Sequence, residues 1–387
     1  MRQRFTRSRL GALLMSALMV SCLEVAEERA QAEERVGSAR YQGLSLRVDG
    51  GDASIRALKQ SAGVLSVDLW AQTPQQGLTL RVEQGAEAPP IERVELTWHN
   101  VMPKSQLVAE SLDLSQEERA SLDAQMSYDE QVPTRLIVKL PFKGQALRLQ
   151  LVPPQPPEGE PWRFGLFADV QERIDGLEEL LSPLGQEPLE FCLISGDLTS
   201  QGRPDELELF QRGMERRLPF PCYATLGNHE LGTAGPPFHH YFGRGSYSFS
   251  YGGARFSLLD DASATLAPQT LKRLQAWLRE AREPLHIVAT HLPILDVDGT
   301  RSGAFASRLE AAELLSALAK GGVDLLLYGH VHTYRSFRQA GMAAVISGGG
   351  GSIPMRFDGV GRHYVIFELD ASRRLISHRL GLIEPED

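Results

Sequence analysis

The chain has 387 residues, of which 42% are hydrophobic and 23% charged, a composition ordinary for a soluble globular protein of about two domains. Its formal net charge of -9 argues against general nucleic-acid binding, so any phosphate group must be held locally. The three cysteines contain no Cys-x-x-Cys pair, which excludes the common zinc-finger spacings. Cys192 and Cys222 lie in apolar runs and are expected to be buried. A disulfide between them is the alternative in an oxidising compartment.

The N-terminal residues have the pattern of an export signal. Four arginines form a basic region, and residues 10–20 follow as an apolar run too short to span a bilayer. Cys22 comes next, which predicts a lipoprotein-type signal peptide over residues 1–22 and membrane contact only through a lipid anchor on Cys22. The alternative is ordinary signal cleavage after Ala30-Gln31-Ala32. In either case we expect an exported bacterial protein, periplasmic or on the outer membrane or cell surface, with residues 23–40 as a tether.

Residues 41–152 are predicted to form a smaller all-β accessory domain. Short alternating runs such as Leu44–Val48 and Arg93–Trp98 are separated by turn-rich segments, which is typical of an antiparallel sandwich. Ser115 and Glu118 have the spacing of a capping box and predict one helix within this domain. His99 stands alone beside Trp98, and we expect it to have a structural or surface role, not a catalytic one.

The proline-rich segment 153–161 predicts a stiff linker, after which strands alternate with helices through residues 162–387. This pattern predicts a layered α/β domain with helices outside. The glycine run 348–351 lacks the lysine of a nucleotide loop, and we expect it to let the backbone approach a site closely.

Polar side chains follow five apolar runs of this second domain. Because the carboxyl ends of strands face the ligand crevice of an α/β sheet, we expect these side chains to form one cluster. The cluster contains Asp169, Gln171, Asp197, Asn228, His229, Glu230, His291, His330 and His332. Mixed carboxylate, amide and imidazole ligands suit Mn, Fe or Zn, and this set is too large for one ion. It therefore predicts two divalent or mixed-valence metal ions bridged by a shared carboxylate, for which we choose Asp197.

The ordered motifs Asp-x-Gln, Gly-Asp, Gly-Asn-His-Glu, His and Gly-His-x-His resemble the calcineurin-like metallophosphoesterase superfamily, which includes purple acid phosphatases. The resemblance covers residues 163–378 and implies a metallophosphoesterase-type β-sandwich flanked by helices. It implies that one metal is bound by Asp169, Asp197 and His332, and the other by Asp197, Asn228, His291 and His330. It also implies that a metal-bridging hydroxide attacks phosphorus, that His229 contacts the phosphate and protonates the leaving group, and that Glu230 orients the His229 imidazole.

Gln171 departs from the commonest pattern, in which a histidine follows the first aspartate by two residues. The Asp-x-Gln variant resembles manganese-dependent ADP-ribose/CDP-alcohol diphosphatases, and Gln171 is then a candidate but weaker metal ligand. The tyrosine ligand of purple acid phosphatases is absent, since Thr199, Ser200 and Gln201 follow the Gly-Asp motif. We therefore expect no purple colour.

The leading hypothesis is an exported dinuclear-metal phosphoesterase that hydrolyses small phosphate esters. The alternative within enzymes is a phosphodiesterase or nucleotide diphosphatase of the manganese-dependent type, because of Gln171. The alternative from another class is a non-catalytic, metal-holding binding protein whose N-terminal domain recruits a partner.

Overall fold

The computed structural model describes residues 22–83, 91–111, 125–142, 146–231, 236–296, 299, 303–355 and 359–383. Strands in these parts form four sheets, two in each half of the chain. No helix within these ranges is both long and apolar enough to cross a membrane. Residues 1–21 of the predicted signal peptide and the predicted capping-box helix near Ser115 lie outside the described residues.

The N-terminal half forms two five-stranded sheets. Its strands are β1 (Ser38–Tyr41), β2 (Leu44–Gly50), β3 (Ala53–Ser61), β4 (Val64–Ala71), β5 (Gln76–Val82), β6 (Arg93–His99), β7 (Gln106–Ser111), β8 (Gln125–Tyr128), β9 (Leu136–Pro141) and β10 (Ala146–Val152). One sheet has the order β1-β2-β5-β10-β7 and the other β3-β4-β6-β9-β8. Alternate residues of β6, including Val94, Leu96 and Trp98, are buried in the core between these sheets. This alternation is what predicted a sandwich.

One strand pair departs from the expected antiparallel pattern. Strands β4 and β6 run parallel, with Val64 opposite Arg93. The reason is that β5, which connects them along the chain, lies in the other sheet and returns the chain to the end where β4 began.

The C-terminal half contains one five-stranded sheet and one six-stranded sheet. Its strands are β11 (Trp162–Phe167), β12 (Phe191–Ser195), β13 (Cys222–Thr225), β14 (Tyr247–Tyr251), β15 (Ala254–Leu258), β16 (Leu285–Ala289), β17 (Leu325–Tyr328), β18 (Tyr334–Gln339), β19 (Met342–Ser347), β20 (His363–Asp370) and β21 (Leu375–Leu382). One sheet has the order β13-β12-β11-β20-β21 and the other β14-β15-β16-β17-β19-β18. An aromatic-rich core that includes Phe164, Phe256 and Phe367 lies between them.

Helices cover the outer faces of these two sheets. The chain is helical over residues 22–33 (α1), and the later helices are α2 (Leu177–Leu184), α3 (Pro204–Arg217), α4 (Phe238–Tyr241), α5 (Pro268–Glu280) and α6 (Arg308–Lys320), with 3-10 turns at Gln171–Gly176 and Asn228–Leu231. Helices α2 and α3 pack on the first sheet, and α5 and α6 pack on the second. The result is the predicted layered α/β domain with helices outside.

The central strands explain where the polar residues gather. Every residue of β12, β16 and β17 is buried, and these strands are apolar apart from Ser195 and His286. Strands β11, β12 and β13 are mutually parallel, as are β15, β16 and β17. Residues that directly follow these strands therefore meet along one edge of the sandwich.

Cys192 and Cys222 are buried free thiols on the neighbouring strands β12 and β13, where they are register partners. Asn100 joins the two halves beside them. Its amide donates to the Cys222 carbonyl at 2.7 Å and accepts from the Cys222 N–H at 2.9 Å, so it pairs with the edge of the sheet.

The segment predicted as a tether, residues 23–40, has a different structure. Helix α1 packs against the C-terminal half, and β1 joins a sheet of the N-terminal half. The buried face of α1 comprises Ala26, Arg29, Ala30 and Glu33, at helical spacing. Two of these four residues are charged, which is why the sequence indicated an exposed segment.

Candidate metal centre

The five predicted strand ends converge on the carboxylate of Asp197, which follows β12. His291, which follows β16, places its Nε2 atom 3.3 Å from Asp197 Oδ2. His229, which follows β13, places its Nε2 atom 3.8 Å from the same oxygen. Gln171, which follows β11, donates to that oxygen from its amide at 2.6 Å. Asp197 therefore lies where residues from both sheets meet.

The residues predicted to bind the second metal lie together. Asp197, His291 and His330 are buried, and their ligand atoms are all within 4.8 Å of one another. Asn228 Oδ1 is 3.1 Å from His291 Nε2. This set offers one carboxylate, one amide oxygen and two imidazoles, which is a donor set suited to Mn, Fe or Zn.

Two of the residues predicted to bind the first metal, Asp169 and His332, also lie close together. His332 Nε2 is 3.5 Å from Asp169 Oδ1. That oxygen is buried and receives no hydrogen bond from any residue that the structure describes. A buried carboxylate oxygen without a donor is costly unless a cation lies beside it, so this position fits a metal.

Two histidines have their ring orientation set by main-chain carbonyls. His291 Nδ1 is 2.7 Å from the Ser195 carbonyl, and His332 Nδ1 is 3.0 Å from the Ile353 carbonyl. A carbonyl only accepts, so each Nδ1 carries a hydrogen and each Nε2 is the ring atom left to face the centre. This arrangement is typical of metal-binding imidazoles, and the residues present fit two cations.

Four of the predicted ligands have a left-handed backbone, namely Asp169 (φ 62°), Gln171 (φ 48°), Asp197 (φ 53°) and His330 (φ 65°). For residues with a Cβ this conformation costs about 1–2 kcal/mol each. Such strain persists where the surrounding structure enforces it and is concentrated at functional sites. The backbone at Gly227 also lies close to Asp197. A Cβ at position 227 would lie 2.1 Å from Asp197 Oδ1, so only glycine fits there.

The charges of Asp197 and His291 depend on each other. Burial disfavours ionisation of Asp197, but His291 outweighs burial and holds the pKa of Asp197 well below its usual range. Burial likewise lowers the pKa of His291, but Asp197 outweighs it and raises that pKa to about 10. The two residues therefore form an ion pair, and a cation bound between them would displace the His291 proton.

Gln171 lies in the site, but its amide oxygen points away from Asp197. The oxygen accepts from the Ser352 hydroxyl at 2.6 Å, while the amide nitrogen faces Asp197. Rotating the amide by 180° would turn the oxygen toward the centre and leave Ser352 as an acceptor. The role of Gln171 as a ligand stays a prediction.

The predicted role of Glu230 is corrected by its contacts. The His229 imidazole is oriented by the Ser200 carbonyl, 2.8 Å from Nδ1. Glu230 is fully buried and instead accepts from the backbone N–H groups of Asp197, Thr199 and Gly227, and from the Thr199 hydroxyl. It therefore stabilises the loop that carries Asp197 and does not contact the His229 ring.

Asp261 is a site-supporting residue that the sequence analysis missed. Its buried carboxylate accepts from the backbone N–H groups of His291 and Leu292 at 2.9 and 3.1 Å. Its position after a strand was visible in the sequence, since Asp260 and Asp261 follow β15 and Leu259, but Arg255 and Ser257 interrupt the apolar pattern of that strand.

The fold and the site define a layered α/β protein with a dinuclear metal centre. Residues 163–334 match the family model of calcineurin-like phosphoesterases, and this part of the chain belongs to that family. The C-terminal domain is therefore a metal-dependent phosphoesterase, as the motifs indicated.

Similar solved structures include a purple acid phosphatase from seeds of yellow lupin, Lupinus luteus. It is 14% identical, with a TM-score of 0.51 over 79% of this chain and 70% of that chain, and at this identity it shows the fold alone. They also include PhoD, 11% identical with a TM-score of 0.46 over 86% and 88% of the two chains. A dimetal phosphatase from Danio rerio is 16% identical, with a TM-score of 0.43 over 56% and 98%. A comparison with proteins of curated function found no match.

Proposed function

We propose that this protein is an exported phosphoesterase that hydrolyses small phosphate esters, with His229 as the proton donor to the leaving group. The observation that carries the proposal is the position of the His229 ring. Its Nε2 atom lies beside Asp197, and its side chain is 26% exposed, whereas that of Asp197 is 1% exposed. The ring is therefore placed between the buried centre and solvent, where a phosphate ester would enter.

The chain's own residues supply binding, orientation and a proton. Asp169, Asp197, Asn228, His291, His330 and His332 would hold the two metals. When bound, these cations activate a water molecule and neutralise the negative charge that develops on the phosphate. Because Ser200 fixes the hydrogen on His229 Nδ1, the proton exchanged with substrate is on Nε2. The His229 imidazolium would donate that proton to the departing oxygen.

The role of His229 predicts a dependence on the leaving group. His229→Ala should lower kcat by about 10²–10⁴-fold on an alkyl phosphate, because a poor leaving group needs the proton. The loss on p-nitrophenyl phosphate should be much smaller, since p-nitrophenolate departs unprotonated. Steady-state kinetics of both substrates, with metal content measured in the same samples, checks this.

The matched control is His240→Ala, because the His240 side chain is exposed. It should leave both substrates and the metal content unchanged. Equal losses on the two substrates for His229→Ala, or loss of metal, would show that His229 is not the proton donor. Asp197→Ala should lose metal and turnover together.

Gln171 supports one second candidate, a manganese-dependent phosphodiesterase or diphosphatase. In the assay above, bis-p-nitrophenyl phosphate and ADP-ribose with Mn²⁺ would then be preferred over the monoesters. The metal identity and the export route belong to the proposal as well. The basic and apolar segments before Cys22 support export, and a lipid on Cys22 would provide the membrane contact.

A further inference from the structure

We infer that helix α1, residues 22–33, is a permanent part of the metal domain, and that Arg29 positions the loop that holds His291. Signal cleavage then falls N-terminal to Ala26. The inference rests on the proposed function only in taking His291 as a metal ligand and the protein as exported. The sequence predicted residues 23–40 to be a tether, so a structural role for α1 in the metal domain goes beyond that prediction.

The first observation is the ion pair between α1 and the loop after β15. Arg29 donates to both oxygens of Asp260, at 2.8 and 2.9 Å, and to the Ser263 hydroxyl at 2.8 Å. The side chains of Arg29 and Asp260 are 3% and 5% exposed. A buried pair that is broken by loss of one partner leaves an uncompensated charge, so Asp260 depends on Arg29.

A second contact one turn later fixes the same helix. Glu33 is fully buried and accepts from the backbone N–H groups of Gly245 and Ser246, at 2.8 and 3.0 Å. It also pairs with Arg273 of α5 at 3.0 Å. On the same face of the helix, Ala26 and Ala30 pack on Ala267. The helix is therefore held along its whole buried face.

The loop that α1 holds also carries Asp261. Asp261 follows Asp260 directly, and its buried carboxylate accepts from the His291 N–H at 2.9 Å. Loss of Arg29 would release Asp260, and the displacement would pass through the next peptide unit to Asp261 and then to His291. Arg29 contacts no metal ligand in this chain of contacts and acts through Asp260 and Asp261, so it is a positioning residue.

These contacts separate the two cleavage sites that the sequence left open. Cleavage after Ala32 would remove Arg29, Ala26 and Ala30, and would leave Asp260 without its buried partner. Cleavage before Cys22 would retain every contact of α1. The structure therefore favours processing ahead of the helix.

The first test is the N-terminal peptide of the exported, full-length gene product, identified by mass spectrometry. We expect a mature chain that begins before Ala26, with or without lipid on Cys22. A mature chain beginning at Glu33, with two metals and an unchanged melting temperature, would overturn the inference.

The second test measures metal binding to Arg29→Met, Arg29→Lys and Arg255→Met by titration calorimetry with Mn²⁺ or Zn²⁺. We expect Arg29→Met to weaken one of the two metal sites at least tenfold. Arg29→Lys keeps the charge but cannot replace all three guanidinium contacts, so it should recover only part of that loss. Arg255 pairs with both oxygens of Glu283, at 3.0 and 3.2 Å, away from the centre. Arg255→Met is therefore the matched control, and its metal affinities should equal those of the unaltered protein.

Unchanged metal affinity in Arg29→Met, or an equal loss in Arg255→Met at a similar melting temperature, would contradict the positioning role. If Arg29→Met does not fold, Arg29→Lys still decides: its weakest metal site should lose affinity severalfold, and an unchanged site would count against the inference. None of these measurements needs turnover. A protein that binds two metals but hydrolyses no phosphoester would refute the proposed function and leave this inference standing.

Discussion

At the scale of single residues, the metal centre is preorganised by hydrogen bonds to its outer atoms. The rings of His291 and His332 are fixed by the carbonyls of Ser195 and Ile353, and Asp197 Oδ1 accepts from the His229 N–H at 2.9 Å. Each of these three ligands therefore has one atom bound to protein and another directed at the centre. Such support keeps the donor geometry without reorganisation when a cation binds.

Glu230 provides the residue-scale prediction. Glu230→Gln has the same shape but replaces one acceptor oxygen with an NH₂ group that faces backbone donors. We expect the free energy of unfolding to fall by roughly 2–4 kcal/mol, since each unsatisfied buried donor costs about 1–3 kcal/mol. Metal content should fall with it, because the Asp197 loop loses its anchor. Chemical denaturation and metal analysis of the purified variant test this.

If Glu230 instead oriented the His229 ring, Glu230→Gln would give a different result. The variant would then keep its stability and both metals, and would differ in kcat and its pH profile alone. Thr199→Val serves as a milder comparison, because it removes one hydroxyl donor and leaves the three backbone donors to Glu230 in place.

The sequence predicted which residues form the metal centre more accurately than it predicted the role of each residue. Asp169, Asp197 and His291 were identifiable because each follows a buried apolar strand. The hydrogen-bond partners of Glu230 could not be identified from the sequence. The left-handed backbone of Asp197 turns the N–H groups of residues 197–199 toward the Glu230 carboxylate, and no residue spacing predicts that turn. The amide orientation of Gln171 depends in the same way on Ser352, 181 residues away.

At the scale of elements, the glycine run after β19 encloses the loop that carries Asp169. Gly350 donates to the Ala168 carbonyl at 2.9 Å, and Ser352 donates to the Asp169 carbonyl at 2.8 Å. A Cβ on Gly350 would lie 2.4 Å from that Ala168 carbonyl oxygen. The expected close approach of backbone to a site is confirmed, and the absence of side chains is what permits it.

Gly350→Ala should therefore displace the Asp169 loop. We expect the metal bound by Asp169 and His332 to be lost first, because those two residues lie on the displaced side. Metal stoichiometry and the melting temperature measure the effect. Gly361→Ala is the control, since a Cβ there meets nothing within 4 Å, and it should behave as the unaltered protein.

Strands and helices could be predicted from the sequence where their buried residues are apolar. The fully buried strands β12 and β16 are almost wholly apolar, and such short runs predict buried strands from sequence alone. Strand β21 gives no such signal, because it is an edge strand with Leu375 and Leu382 57% and 61% exposed. Helix α1 was missed because Arg29 and Glu33 are charged residues on its buried face.

At the scale of the whole molecule, His99 links the two halves. Its ring nitrogens face Asp68 of the N-terminal sandwich and Glu215 of α3. Only the imidazolium can donate to both carboxylates. Burial lowers the pKa of His99, but the two carboxylates outweigh burial, and the net effect is a raised pKa. The structural role expected for this histidine agrees with these contacts.

A raised pKa in the folded protein makes this link dependent on pH. The stabilisation by His99 should be fully present below the unfolded pKa of about 6.5, and should be lost as pH rises through the folded pKa. The difference in unfolding free energy between the unaltered protein and His99→Gln should therefore shrink as pH increases. Urea denaturation at a series of pH values from 6 upward measures it.

Arg135→Met is the control for that series. Arg135 pairs with the same Glu215, at 2.6 Å, but does not titrate in this range. Its effect on stability should vary far less with pH. A His99→Gln difference that stays constant, or grows, with rising pH would contradict the charged state assigned to His99.

The position of α1 also has a mechanical consequence. The chain passes from α1 into β1 through residues 34–37, and returns from β10 to β11 through residues 153–161, so two covalent connections join the halves. These two connections act together with the contacts of Asn100 and His99, which hold the sandwich against the C-terminal half. Severing the proline-rich segment would therefore leave the N-terminal sandwich covalently attached through residues 34–37.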